Sequence, residues 1–135
     1  MASLRQILNA LADELVNTFD CNVVKGFPAW GRPAQDPPVV AVLFAGWEPS
    51  GPQRIGASAL QGISPSTWQI YVFGRNEVEL LDLADTLMAW LAKTEISVNG
   101  ETAAFQVFGV SRYESQVGVQ QELYGVYFNL NVTMR

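Results

Sequence analysis

The chain contains no histidine, one cysteine and few charges. Without histidine, the Ser-His, Cys-His and His-metal arrangements behind most nucleophilic and metal-assisted catalysis are excluded together. The single Cys21 rules out an internal disulfide framework and has no CxxC partner for redox or zinc work. It reads as an apolar thiol, buried, in a reducing compartment. Only 16% of the residues are charged, against about 25% in an ordinary soluble domain. With 49% hydrophobic residues the chain is too apolar for disorder, so part of its surface is expected to be covered by another chain.

Basic residues are also scarce. Thirteen acids against eight bases give a net charge of −5, and Arg5, Lys25, Arg32, Arg54, Arg75, Lys93, Arg112 and Arg135 stand singly. That scatter makes no footprint for nucleic-acid phosphates. Neither GxGxxG nor GxxxxGK[ST] occurs, so no nucleotide or other cofactor is expected. No window approaches the ~20 apolar residues of a membrane span. Arg5, Asn9, Asp13 and Glu14 interrupt the apolar N-terminal run on one face, which fits an amphipathic helix and not a signal sequence.

Carboxylates are what remains for catalysis. Asp36, Glu48, Glu95, Glu101, Glu114 and Glu122 lie in or near loops, and two of them together could serve a small glycoside hydrolase; nothing in the sequence pairs any two. Asp82 and Asp85 share a helix face at i, i+3, yet with no histidine and no oxygen-rich loop nearby they read as a solvated face, so no metal is expected.

The patterned segments are clear. Ser3 and Gln6 form a capping-box pair, followed by Leu4, Ile7, Leu8, Leu11 and Leu15 at helical spacing. CNVV (21–24) is a short strand candidate. VVAVLF (39–44), between Pro37-Pro38 and Gly46, reads as a strand buried on both faces. TWQIYVF (67–73) is a third strand, and its Gly-Arg-Asn corner leads to a helix over 77–93. Asn76 and Glu79 predict an N-cap and capping box there, with Glu77 and Glu79 placed at the positive helix end, where they would repel a phosphate. A turn at Asn99-Gly100 precedes a strand near 103–113. Finally, Tyr124, Val126, Phe128, Leu130, Val132 and Met134 alternate with Gly125, Tyr127, Asn129, Asn131 and Thr133, so one face meets a core and the other is wetter or partner-bound.

At 135 residues this is a single domain, 1–135, of α+β class: a largely antiparallel or mixed β-sheet with two amphipathic helices packed on one face. All seven prolines lie between residues 28 and 65, which marks two long loops at 25–38 and 46–66. Loops of that length are uncommon unless they bind something or are disordered, and Phe27, Trp30, Trp47 and Ile55 argue against plain disorder. The two loops hold Trp30 with Arg32 and Trp47 with Arg54, a pairing typical of interface anchors, although the tryptophans could equally pin their own loops. Arg112, Tyr113 and Glu114 alternate at a strand end and suit either a rim contact or a solvent-facing strand. Trp68 and Trp90 read as core.

The order of these segments resembles the tail terminator proteins of long-tailed bacteriophages, the group that includes the lambda-like minor tail protein U. The resemblance rests on SLRQILNALADEL, PPVVAVLFAGW, TWQIYVFGRNEVELLDLADTLMAWL, the strand end SRYES and LYGVYFNLNVTMR, and covers nearly the whole chain. The stretch 46–66 is longer than its lambda-like counterpart. The resemblance implies a structural, non-enzymatic virion protein, assembled in the host cytoplasm and located at the head-proximal end of the tail. It would form a ring homo-oligomer, a hexamer, that ends tube growth and offers a joining surface to the neck or head. Implied partners are its own copies, the tail tube protein, a neck or connector protein and, in a contractile tail, the sheath. DNA would pass through the lumen without specific binding, and no membrane is involved. A neck, head-tail connector or tail-completion protein is the alternative with the same size and acidity.

Overall fold

The structure is a computed structural model and describes residues 2–26, 37–47, 66–113 and 124–135. Helix α1 (Leu4–Thr18) begins where Ser3 and Gln6 complete the capping box. The Gln6 amide donates to Ser3 Oγ at 3.2 Å and the Ser3 amide donates to Gln6 Oε1 at 2.8 Å. Strands β1 (Asn22–Lys25), β2 (Val39–Trp47) and β3 (Ser66–Gly74) follow, then α2 (Glu77–Lys93), β4 (Glu95–Val98), β5 (Glu101–Arg112) and β6 (Tyr124–Met134).

The strands form one sheet in the order β1-β2-β3-β6-β5-β4. Every pair is antiparallel except β1 with β2, so the sheet is mixed. β6 inserts between β3 and β5 and joins two runs of chain that otherwise share little of the sheet. Side-chain alternation then sorts the faces. Val40 and Val42, Trp68, Ile70 and Val72, and Val126, Phe128, Leu130 and Val132 all point to one side. There they meet Ile7, Leu11 and Leu15 of α1 and Leu80, Ala84, Leu87 and Leu91 of α2. Both helices lie on that one face, giving the α+β architecture.

Three expectations need correction. β4 was not foreseen: EISV is four residues long, too short for alternation to stand out, and is seen only through its pairing with Glu101–Ala104. β2 is buried on both faces from Val39 to Val42, where β1 flanks it. Beyond Val42 it outruns that neighbour, and Phe44 is 40% exposed. At α2, Asn76 caps the helix by accepting from the Glu79 amide at 2.8 Å, but the Glu79 carboxylate takes the amide of Arg75 at 2.9 Å and not that of Asn76, so the reciprocal half of the box falls one residue early. The Arg75 guanidinium, 3.5 Å from the same carboxylate, draws it there.

Candidate interaction surfaces

The sheet face away from the helices carries its own cluster. Val39, Ala41, Tyr71 and Phe73 are buried on it, with Tyr113 and Tyr127 packed against them. Tyr113 stands edge-on to Tyr71 and Phe73, with ring centres 5.4 and 5.5 Å away, and Tyr127 tilts over Tyr71 at 5.4 Å. Burial raises the Tyr71 hydroxyl above the ordinary tyrosine pKa of 10.0, with Tyr113 and Tyr127 adding to it; burial alone raises Tyr113. Along the same face the aromatic cluster gives way to amides. Tyr71 donates to Gln69 Oε1 at 2.9 Å, Gln69 Nε2 donates to Asn129 Oδ1 at 3.2 Å, and Thr67 donates to Asn131 Oδ1 at 3.4 Å. β6 therefore turns one face to the core and a half-buried polar one outward, as its period of two predicts.

Of the anticipated contact residues, Trp30, Arg32, Arg54 and Glu114 lie outside the described residues, as does the side chain of Trp47. Trp47 closes β2, its backbone opposite Ser66. Arg112 and Tyr113 are adjacent in sequence but face opposite sides of the sheet. The Arg112 guanidinium reaches the first turn of α2 and donates to Glu77 Oε1 at 2.8 Å, whereas the Tyr113 ring belongs to the aromatic cluster. They do not make one patch. Trp68 is core, its indole N–H donating to Ser66 Oγ at 2.8 Å. Trp90 is half-buried, edge-on to Phe19 at 5.6 Å. Cys21 is also only half-buried, short of the full burial expected; burial and Asp20 raise its pKa above 9.0.

No protein-family model matches the chain, and no characterised protein matches it in sequence. Its reading therefore rests on its own residues.

The corner between β3 and α2 is a tight packing junction. A Cβ on Gly74 would lie 2.8 Å from the Leu80 backbone nitrogen, so the strand and helix touch there through bare backbone. Arg75 Nε donates to the Pro37 carbonyl at 2.9 Å and ties the corner to the start of β2. Beside it, Pro38, Val78, Leu83 and Thr86 line an open groove of about 500 Å³, edged by Asn76, Glu79 and Asp82. Among the described residues Val78, at 70% exposure, is the most exposed of the large apolar side chains.

Of the carboxylates considered for catalysis, the two described ones, Glu95 and Glu101, are held by different partners. Asp36, Glu48, Glu114 and Glu122 lie outside the described residues. Glu95 meets Arg135 at 3.0 Å, and Glu101 accepts from the Ala2 amide at 3.3 Å at the other end of the β4–β5 hairpin. Asp82 and Asp85 are exposed on α2, and among the described residues no group of three His, Cys, Asp or Glu could hold a metal ion. No helix of the described residues is long and apolar enough to cross a membrane. The features sequence reasoning missed are surfaces: the groove along α2 and the outer edge of β5. Exposed Val78 marks the first, Phe108 and Val110 the second, and the signal available in advance was the low overall charge.

Proposed function

We propose that this protein is a structural, ring-forming cap of a phage tail tube: it assembles on the finished tube end, stops further subunits from adding and offers its far side to the neck. The observation that carries the reading is the correspondence between motif and element. The Pro-preceded apolar segment is β2, the Trp-Gln segment is β3, the acidic segment after it is α2, and the alternating segment is β6. Two further properties support it. Large apolar side chains stand exposed at separate places on a weakly charged chain, as a subunit with several neighbours requires. The acidic balance suits a lumen through which DNA slides without adhering. Cyclic closure leaves no growing end, and that is how a ring terminates a polymer.

The test is tail assembly with and without the protein, read by electron microscopy. Overlong tubes when it is withheld, and fixed lengths when it is restored, are the expected result. Tubes of normal length in its absence would remove the reading. Pull-down against the tube protein and against portal-side proteins distinguishes a terminator from a connector.

A further inference from the structure

The β4–β5 hairpin turns on two residues. Val98 pairs with Glu101, and Asn99 and Gly100 between them take φ of 51° and 82°. Those values match a type I′ turn, whose central residues sit near about +60° and +90°. Both residues are exposed at the tip. Of the seven asparagines in the chain, Asn99 alone is followed by glycine. With no Cβ to shield it, a glycine amide nitrogen is the one that most readily attacks the side chain of a preceding asparagine.

The folded turn holds the two groups apart. Attack closes a five-membered ring, which needs Cβ of Asn99 and the nitrogen of Gly100 eclipsed about the Cα–C bond. At the first central position of a type I′ turn ψ is about +30°, which places that nitrogen nearly opposite Cβ. The reaction therefore waits for the hairpin to open. Among the described residues β4 is an edge strand, four residues long, with β5 as its one strand neighbour. Short edge elements open locally at free energies below that of global unfolding.

We propose that Asn99 is a site of self-modification gated by opening of this hairpin. In the open state, base removes the Gly100 amide proton and the nitrogen forms a bond to Cγ of Asn99. The bond from Cγ to Nδ2 breaks, and Nδ2 leaves as ammonia with a proton from water. Water then opens the cyclic imide at either carbonyl and leaves aspartate or isoaspartate at position 99. The fold treats the two products differently. Aspartate keeps the backbone and tolerates the left-handed conformation, so the turn re-forms. Isoaspartate puts an extra methylene into the main chain, and a two-residue loop can no longer set Val98 opposite Glu101. The loss reaches beyond the tip. Ile96 and Val98 are 5% and 4% exposed in the core beneath the helices, and Glu101 accepts the Ala2 amide at 3.3 Å beside the start of α1. Opening is reversible until the ring closes and one-way once isoaspartate has formed. None of this depends on the proposed terminator role.

The test ages the full chain in mildly alkaline buffer, folded and in guanidinium chloride. Isoaspartate is counted with protein isoaspartyl methyltransferase and located by peptide mass mapping. The folded chain should convert at Asn99, but roughly tenfold or more slowly than the denatured one, since about 1.4 kcal/mol of opening free energy already gives that factor. Val98→Ala, which loosens β4 beside the turn, should speed conversion several-fold in the folded chain and leave the denatured rate unchanged; Ile96→Val serves if that variant does not fold. The isoaspartate fraction should unfold at lower urea than fresh protein, whereas Asn99→Asp should unfold with the parent. Equal rates folded and denatured, no isoaspartate at Asn99 in the folded chain, or loosened variants that convert at the parent's folded rate would overturn the gating. An isoaspartate form as stable as the parent would overturn the one-way loss of the turn.

Discussion

Replacing Gly74 with alanine tests whether the corner between β3 and α2 is a packing junction. The added Cβ would sit 2.8 Å from the Leu80 nitrogen and 2.9 Å from its Cα, distances that real Cβ atoms do not hold. Both atoms are backbone in the first turn of α2, so no side chain can swing away; the helix start must move. Leu80 is fully buried and shares its stripe with Ala84, Leu87 and Leu91, so displacement loosens the contact of α2 with the sheet. Overpacking of this kind costs about 1–3 kcal/mol. The matched control is Gly46→Ala: nothing lies within 4 Å of a Cβ there, so its effect should stay within about 0.5 kcal/mol of the parent. Urea unfolding followed by tryptophan fluorescence gives both values, and unchanged m would confirm that the native state is what changed. Equal midpoints for the two variants would refute the argument, and would reopen the corner as a place where something other than helix packing requires glycine.

Other outcomes follow from the same contacts. Ser66→Ala leaves the buried indole N–H of Trp68 without its 2.8 Å acceptor and should cost about 1–3 kcal/mol in urea unfolding; with Trp68→Phe already present the same change should cost much less. Arg112→Ala, which removes a half-exposed pair with Glu77, should lose under about 1 kcal/mol, and a double-mutant cycle should show the coupling fade with added salt. Tyr71 and Tyr113 hold their protons more tightly when folded than when unfolded. The stability this gives is complete below pH 10.0 and is lost as pH rises through the higher folded values; Tyr113→Phe should flatten that alkaline decline in a pH series of unfolding midpoints.

Much of the fold was legible because the signals were long. Seventeen residues of helical spacing with an Asn cap gave α2 its limits, and eleven residues of alternation gave β6 its two faces. The turn at Asn99-Gly100 was readable because both residues take positive φ, 51° and 82°, which Asn and Gly tolerate best. β4 was missed for the opposite reason: four residues carry too little pattern. The second cluster was hidden because Tyr71 and Tyr113 are 42 positions apart and come together only through β6. The alternation of Arg112 and Tyr113 at a strand end was legible, and the pleat sends them to opposite faces; what each face meets, Glu77 of α2 for one and the aromatic cluster for the other, depends on pairings distant in sequence. No rule of sequence spacing indicates that β5 outruns β4, since that depends on register.

The place of β6 in the sheet bears on how fast the molecule forms. Ile70 and Phe128 sit side by side, and so do Leu130 and Val107, so neither α1-β1-β2-β3 nor α2-β4-β5 has a finished layer until residues 124–134 slot between them. Chain closure over such separations must be completed before any ladder rewards it, which points to slow, all-or-none acquisition of structure on a timescale of roughly milliseconds to seconds. A nascent or nicked polypeptide lacking that central ribbon would show two unsatisfied half-sheets, each prone to the wrong neighbour, so quantity control during synthesis falls on eleven residues.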